Sequence, residues 1–108
     1  MLAFDPHVAP AVVPIETVRD RQQVALGGIV TAVAVDRWAG GVASLHATIS
    51  DATGSFTLAF VGRPRVQGVG LGQELVAAGT AVRRRGRLIL MNPYLWLVHR
   101  SAVRAVAA

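Results

Sequence analysis

Apolar and polar residues alternate along two short runs, 44–50 and 55–60, which flank a compact polar turn. Alternation with a period of two predicts β-strands with one buried and one exposed face. The turn, residues 51–55, predicts a β-hairpin corner in which the Asp51 side chain accepts hydrogen bonds from turn amides and Gly54 adopts a positive φ. The predicted buried side chains are Leu45, Ala47, Ile49, Phe56, Leu58 and Phe60.

An earlier segment, residues 24–35, is apolar and rich in β-branched residues, as strands are. Its alternation changes phase between Val30 and Val33, which predicts a bulged or bent strand. Such a strand, carrying Gly27 and Gly28, suits a small barrel in which one long strand serves both halves of the sheet.

Two more strands are predicted after the hairpin, at residues 74–82 and 88–91, joined by a short basic turn. The second continues past Asn92 and Pro93 as far as residue 98, with an edge or a bend at the proline. Between the third and fourth strands, residues 62–72 hold too many Gly and Pro residues for a stable helix and predict a crossover loop.

The chain of 108 residues is long enough for one domain. We expect an extended lead-in over residues 1–14, which contains three prolines, a barrel over residues 15–98 and a C-terminal tail over residues 99–108.

The composition excludes several classes of protein. There is no Cys, so disulfide scaffolds, thiolate metal sites and cysteine nucleophiles are excluded. Hydrophobic residues make up 53% of the chain. The longest stretch without Asp, Glu, Lys or Arg, residues 38–50, is shorter than the ~18 apolar residues of a spanning helix, so we predict a core and no membrane segment. No secretory signal pattern opens the chain, and a cytoplasmic location is the default expectation.

All 11 basic residues are Arg, and the net charge is +5. This usage has two interpretations. One is the amino-acid bias of a GC-rich genome. The other is phosphate recognition, because the planar guanidinium group donates two parallel hydrogen bonds.

Five strands with a long third crossover and a short final hairpin follow the order of an OB-fold. The pattern Gly28-x-Val30, the run 49–56, Gly72, Gly79 and Asn92-Pro93 resembles OB-fold nucleic-acid-binding domains of the anticodon-binding and RecG-wedge type. It is especially similar to small stand-alone actinobacterial OB-fold proteins. The resemblance covers roughly residues 18–98 and implies an all-β, five-stranded Greek-key barrel. In this chain the helix that many members place between the third and fourth strands is short or replaced by the Gly/Pro-rich loop.

The resemblance also implies a site. In this fold the loop after the first strand and the loop between the fourth and fifth strands flank the exposed face of the second and third strands. Both loops are basic here, and a positive groove with a few stacking rings binds single strands of DNA or RNA with little sequence preference. The expected phosphate contacts are Arg37, Arg83, Arg84, Arg85 and Arg87, with Arg63 and Arg65 of the crossover loop as further candidates, and the expected stacking residues are Trp38 and His46. The plainer interpretation is that the basic turn is a solvated surface that keeps the chain soluble.

A second function stays open, because the exposed face is poor in aromatic residues. The chain would then be a β-barrel adaptor that binds a protein partner or a second copy through an apolar edge at residues 96–98. We expect no enzymatic activity, metal or cofactor, since His7, His46 and His99 have no partners at metal-ligand spacing.

Overall fold

The computed structural model describes residues 8–37 and 41–98, and nearly all regular structure in these ranges is β-strand. A single-turn 3₁₀ helix, Ile15–Thr17, precedes the strands. The strands are β1 (Gln23–Arg37), β2 (Ala43–Ser50), β3 (Ser55–Val61), β4 (Glu74–Arg84), β5 (Arg87–Met91) and β6 (Tyr94–Leu97).

The sheet closes on itself. Strands pair in the order β1-β2-β3-β5-β4, and β4 pairs again with β1. The β3–β5 pairing is parallel and the others are antiparallel. Beyond Asn92 and Pro93 the chain of β5 continues as β6, which pairs with Leu75–Ala78 of β4. The predicted all-β, OB-like barrel is confirmed, with its last strand divided at the proline.

Strand β1 belongs to both halves of the barrel. Residues 23–29 pair with β4, and residues 29–37 pair with β2. The register against β2 shifts between Val30 and Ala32, so the predicted irregularity is confirmed at Thr31. Gly28 lies just before it, where an added Cβ would come within 2.6 Å of the Ser50 carbonyl oxygen. Only glycine allows the two strands to approach this closely.

The segment between β3 and β4 is a loop without a helix, as predicted. Its apolar side chains close the barrel instead, because Val69 is buried and Val66 packs against the core. The loop joins the sheet at Val30, whose N–H donates to the Gln73 carbonyl and whose carbonyl accepts from Gly72 N–H, both at 2.9 Å. A loop, and not a helix, thus packs against the core at this end of the barrel.

The core is formed by the inward side chains of all five barrel strands. All six residues of the predicted buried hairpin face are buried. Leu26, Leu75 and Leu90 from the other strands join them and are fully shielded from solvent. Burial of each such side chain is worth about 2 kcal/mol relative to exposure, which makes this cluster the main stabilising element.

The described part of the lead-in runs beside the first half of β1. Val13 N–H donates to the Ala25 carbonyl at 3.0 Å, and Val12 lies beside Gly27. Residues 1–7 of the predicted lead-in and the whole predicted tail, 99–108, lie outside the described residues. Within the described ranges, no helix has the length and apolar character needed to cross the hydrocarbon core of a bilayer.

Candidate nucleic-acid interface

The Asp51 corner fixes one end of the β2–β3 hairpin. Asp51 Oδ1 accepts hydrogen bonds from Thr53 N–H at 2.7 Å, Thr53 Oγ1 at 2.6 Å and Gly54 N–H at 3.0 Å. The other oxygen, Oδ2, accepts from Ile15 N–H at 2.9 Å. These donors, with the Thr53 hydroxyl foremost, lower the pKa of Asp51 from 3.8 to about 2. The corner therefore also holds the 3₁₀ helix to the barrel.

The predicted positive φ of Gly54 is wrong. Among the described residues, positive φ occurs at five other glycines, and Gly54 is not one of them. Its N–H donates to Asp51, its carbonyl accepts from Asp51 N–H at 3.0 Å, and Ile15 packs against it. The Asp51 carboxylate accepts from the turn amides, so the corner closes without a left-handed residue.

The outer face of β2 and β3 is mostly polar. His46, Thr48 and Ser50 project from β2 on this face, opposite Ala59, Thr57 and Ser55 of β3. Val12 and Val13 contact the first half of β1, at Gly27 and Ala25. The hydroxyls of Thr31, Ser50 and Ser55 form a hydrogen-bonded row across three strands, with Oγ–Oγ distances of 3.2 and 2.8 Å.

A cavity of about 190 Å³ lies on this face. Its floor contains two buried outward residues, Thr57 and Ile89. The remaining lining residues are Asp36, His46, Arg84, Arg85 and Arg87. The lining therefore carries three guanidinium groups, one carboxylate and one imidazole. Because positive charge is in excess, the cavity favours a small anion.

The alternation of side chains along β4 places Arg83 and Arg84 on opposite faces of the sheet. Arg84 pairs with Arg87 and Val82 with Ile89, so these residues share the outer face. Arg83 pairs with Leu88 and lies on the other side of β4, where its Nη1 donates to the Gly86 carbonyl at 3.5 Å. The structure therefore brings Arg84, Arg85 and Arg87 to the cavity, but not Arg83.

The turn that carries Arg85 has an unfavourable backbone for arginine. Arg85 and Gly86 are the two residues between the paired Arg84 and Arg87, and their φ values are 53° and 78°. Positive φ at both positions defines a type I′ hairpin turn, for which Asn-Gly and Asp-Gly are preferred. Arginine in the left-handed region costs roughly 1–2 kcal/mol. Strained residues of this kind concentrate at functional sites.

Other predicted contacts lie elsewhere. Arg37 is one residue beyond Asp36 and projects to the opposite side of β1, where its Nη1 donates to the Gly41 carbonyl at 2.9 Å. Arg63 and Arg65 are exposed in the loop after β3 and do not line the cavity. Trp38 lies outside the described residues, so its predicted stacking role stays a prediction.

Asp36, Thr57 and Ile89 line the cavity but were not predicted as site residues. The sequence predicts a loop at Asp36, whereas the structure continues β1 through it, with Asp36 on the same face as Ala32 and Ala34. The alternation along β1 is the sequence feature that could have placed Asp36 on the outer face. No such feature exists for Ile89, because an apolar residue in the middle of a strand is indistinguishable by sequence from a core residue.

The apolar C-terminal edge is mostly used inside the molecule. Trp96 is only 9% exposed and packs with Ala25, Val76 and Ala78, and Leu97 lies directly against Gly68. Val98 N–H donates to the Glu74 carbonyl at 2.9 Å.

In the described ranges, no group of three His, Asp or Glu side chains is placed to hold a metal ion.

The topology and the cavity together define an OB-like barrel with a basic depression on its outer face. One solved structure similar to the chain is that of the hypothetical protein ygiW from E. coli, with a TM-score of 0.54 and 17% identity over 84% of this chain and 94% of that one. This degree of identity shows a shared fold alone. No protein-family model and no curated protein matches the chain.

Proposed function

We propose that the protein binds single-stranded nucleic acid, DNA or RNA, with little sequence preference on the outer face of β2 and β3. The observation that carries this proposal is the clustering of Arg84, Arg85 and Arg87 around a cavity that also contains His46. Guanidinium groups pair with phosphate oxygens, and an imidazole ring offers a surface for a base.

The rest of the face supports the same ligand. Side-chain hydroxyls and arginines are the usual donors to phosphate and sugar oxygens, and such contacts position a strand without reading its sequence. Thr57 lines the cavity, and Thr48, its partner on β2, lies between the cavity residue His46 and Ser50 of the hydroxyl row formed by Thr31, Ser50 and Ser55. A strand held by the arginines would continue along these hydroxyls. In this proposal the protein binds its ligand without catalysis.

The test is the salt dependence of oligonucleotide binding, followed by fluorescence anisotropy with a labelled single strand. Three phosphate contacts at ~0.7 each give an expected slope of log Kobs against log salt of about −2. Absence of binding at low salt would reject the proposal.

Neighbouring arginines provide a matched pair of variants. Arg84→Ala should weaken binding several-fold and reduce the slope by about 0.7, because one phosphate contact is lost. Arg83→Ala removes the same charge from the opposite side of β4 and should change binding much less. Equal losses in the two variants would show that net charge, and not the cavity, attracts the ligand.

The adaptor role predicted for the edge at residues 96–98 receives less support. Trp96 is buried and Leu97 packs against Gly68, so the apolar side chains expected to meet a partner already contact this chain.

A further inference from the structure

The second half of β1 is an apolar strand with one edge unpaired within the described residues. Beyond Val30, β1 pairs with β2 along one edge, and within residues 8–37 and 41–98 no strand pairs with its other edge. Residues 31–35 are all exposed, and Val33 and Val35 are 39% and 59% exposed.

Edges of this kind are usually blocked in monomeric proteins. The common devices are a charged residue or proline in the middle of the strand, a very short edge, or a covering segment. Residues 31–35 read Thr-Ala-Val-Ala-Val, without a charge or a proline. The bulge at Thr31 lies at the start of this segment and leaves the rest of the edge regular.

We propose that this edge pairs with the same edge of a second copy, in antiparallel orientation about a two-fold axis at Ala34. This register places Val33 opposite Val35 of the second copy, and Val35 opposite its Val33. The four valines then lie on one face, where each pair is shielded by the other.

The polar residues fit the same register. Asp36 lies opposite Ala32 of the second copy, and Arg37 lies opposite its Thr31, so no like charges face each other. An axis at Val33 would pair Val33 with itself and place Val35 opposite Thr31. An axis at Val35 would pair Val35 with itself and place Val33 opposite Arg37. The register centred on Ala34 is therefore the most complementary, and a two-fold contact of this kind closes as a dimer.

The dimer has a consequence for the proposed ligand. A two-fold axis between antiparallel edge strands stands perpendicular to the sheet, so the outer faces of both copies point to the same side. Two arginine cavities would lie on one continuous surface. A strand long enough to reach both would bind more tightly than a short one, by the effective-concentration effect.

The test is sedimentation velocity of the full chain from micromolar to millimolar concentration. We expect a concentration-dependent dimer. Val35→Lys should raise its dissociation constant by roughly 30-fold or more, the effect of a central interface residue. Val12→Lys is the control, since Val12 is 49% exposed beside the first half of β1 and should leave the dimer unchanged. A wild-type chain that stays monomeric throughout, or a dimer insensitive to Val35→Lys, would overturn the proposal.

Mixed variants test the register itself. Val33→Glu and Val35→Lys should each be monomeric alone, and mixing them should restore a dimer, because the introduced charges face each other. A mixture of Val35→Glu with Val35→Lys should remain monomeric, since in this register those positions do not meet. Restoration in the second mixture and not in the first would overturn the Ala34-centred pairing. Neither result depends on whether nucleic acid binds.

Discussion

Asp51 links two distant segments of the chain, its own turn and the 3₁₀ helix, through one carboxylate. It accepts from the amides of its own turn and from Ile15 N–H, 36 residues away. Thr53 extends the link, since its hydroxyl donates to Asp51 and accepts from Glu16 N–H at 3.1 Å. A carboxylate with several donors is held in its ionised form.

This arrangement predicts a loss of stability in acid. The folded-state pKa of Asp51, about 2, lies below its unfolded value near 3.8, so the stabilisation is complete above pH 4 and declines as the pH falls towards 2. Asp51→Asn should lower the free energy of unfolding at pH 7 by about 1 kcal/mol, less than the full difference in pKa implies, because solvent screens this partly exposed carboxylate. Urea unfolding at several pH values measures the difference, which should shrink between pH 4 and 2.

Thr53→Val provides the control for that prediction. It removes the hydroxyl donor that contributes most to the low pKa of Asp51, so the carboxyl should titrate closer to 3.8. If Asp51→Asn and wild type differ by the same amount at pH 7 and at pH 2, the ionised form of Asp51 is not the stabilising one.

At the scale of the element, the β4–β5 hairpin combines an unfavourable turn residue with a binding surface. Arg85→Asn keeps the positive φ with a residue suited to it and should raise the free energy of unfolding by about 0.5–1 kcal/mol. The same change removes a guanidinium from the cavity and should weaken oligonucleotide binding several-fold. Chemical denaturation and anisotropy on one preparation give both quantities.

If Arg85 contributes to binding at the expense of stability, Arg85→Asn must raise the free energy of unfolding and lower the affinity for the oligonucleotide. Arg83→Asn is the comparison, because Arg83 lies in regular strand on the other side of β4 and has no strained backbone to relieve. A more stable Arg85→Asn protein with unchanged affinity would place the ligand elsewhere.

Elements with a clear period could be predicted from the sequence, and elements set by long-range contacts could not. The alternation around Leu45–Phe60 and the phase change at Val30–Val33 gave the hairpin and the bulge, because each is a local property of side-chain order. The division of Arg83 from Arg84 also follows from alternation, once the strand is known to extend to Arg84. The Asp51–Ile15 bond could not be predicted, since it joins segments that meet only in the folded barrel.

At the scale of the whole molecule, stability should be unevenly distributed around the barrel. The first half of β1 is flanked by β4 and the lead-in, and it carries buried residues such as Leu26. The second half is paired on one edge only and is exposed on both faces over residues 31–35. Amides with few buried neighbours open locally at low cost, whereas core amides exchange only on global unfolding.

Hydrogen exchange measures this difference within a single strand. In dilute protein, the amides of Leu58 and Leu75 should be among the slowest, and those of residues 31–35 should exchange orders of magnitude faster. Raising the protein concentration should slow residues 31–35 selectively, because a second copy would then accept the outward amides of this edge. Residues 94–97, on the edge of β6, are the internal comparison. If only residues 94–97 exchanged more slowly at high concentration, self-association would lie at the C-terminal edge. If all of β1 exchanged slowly in dilute protein, its second half would already be covered within one copy.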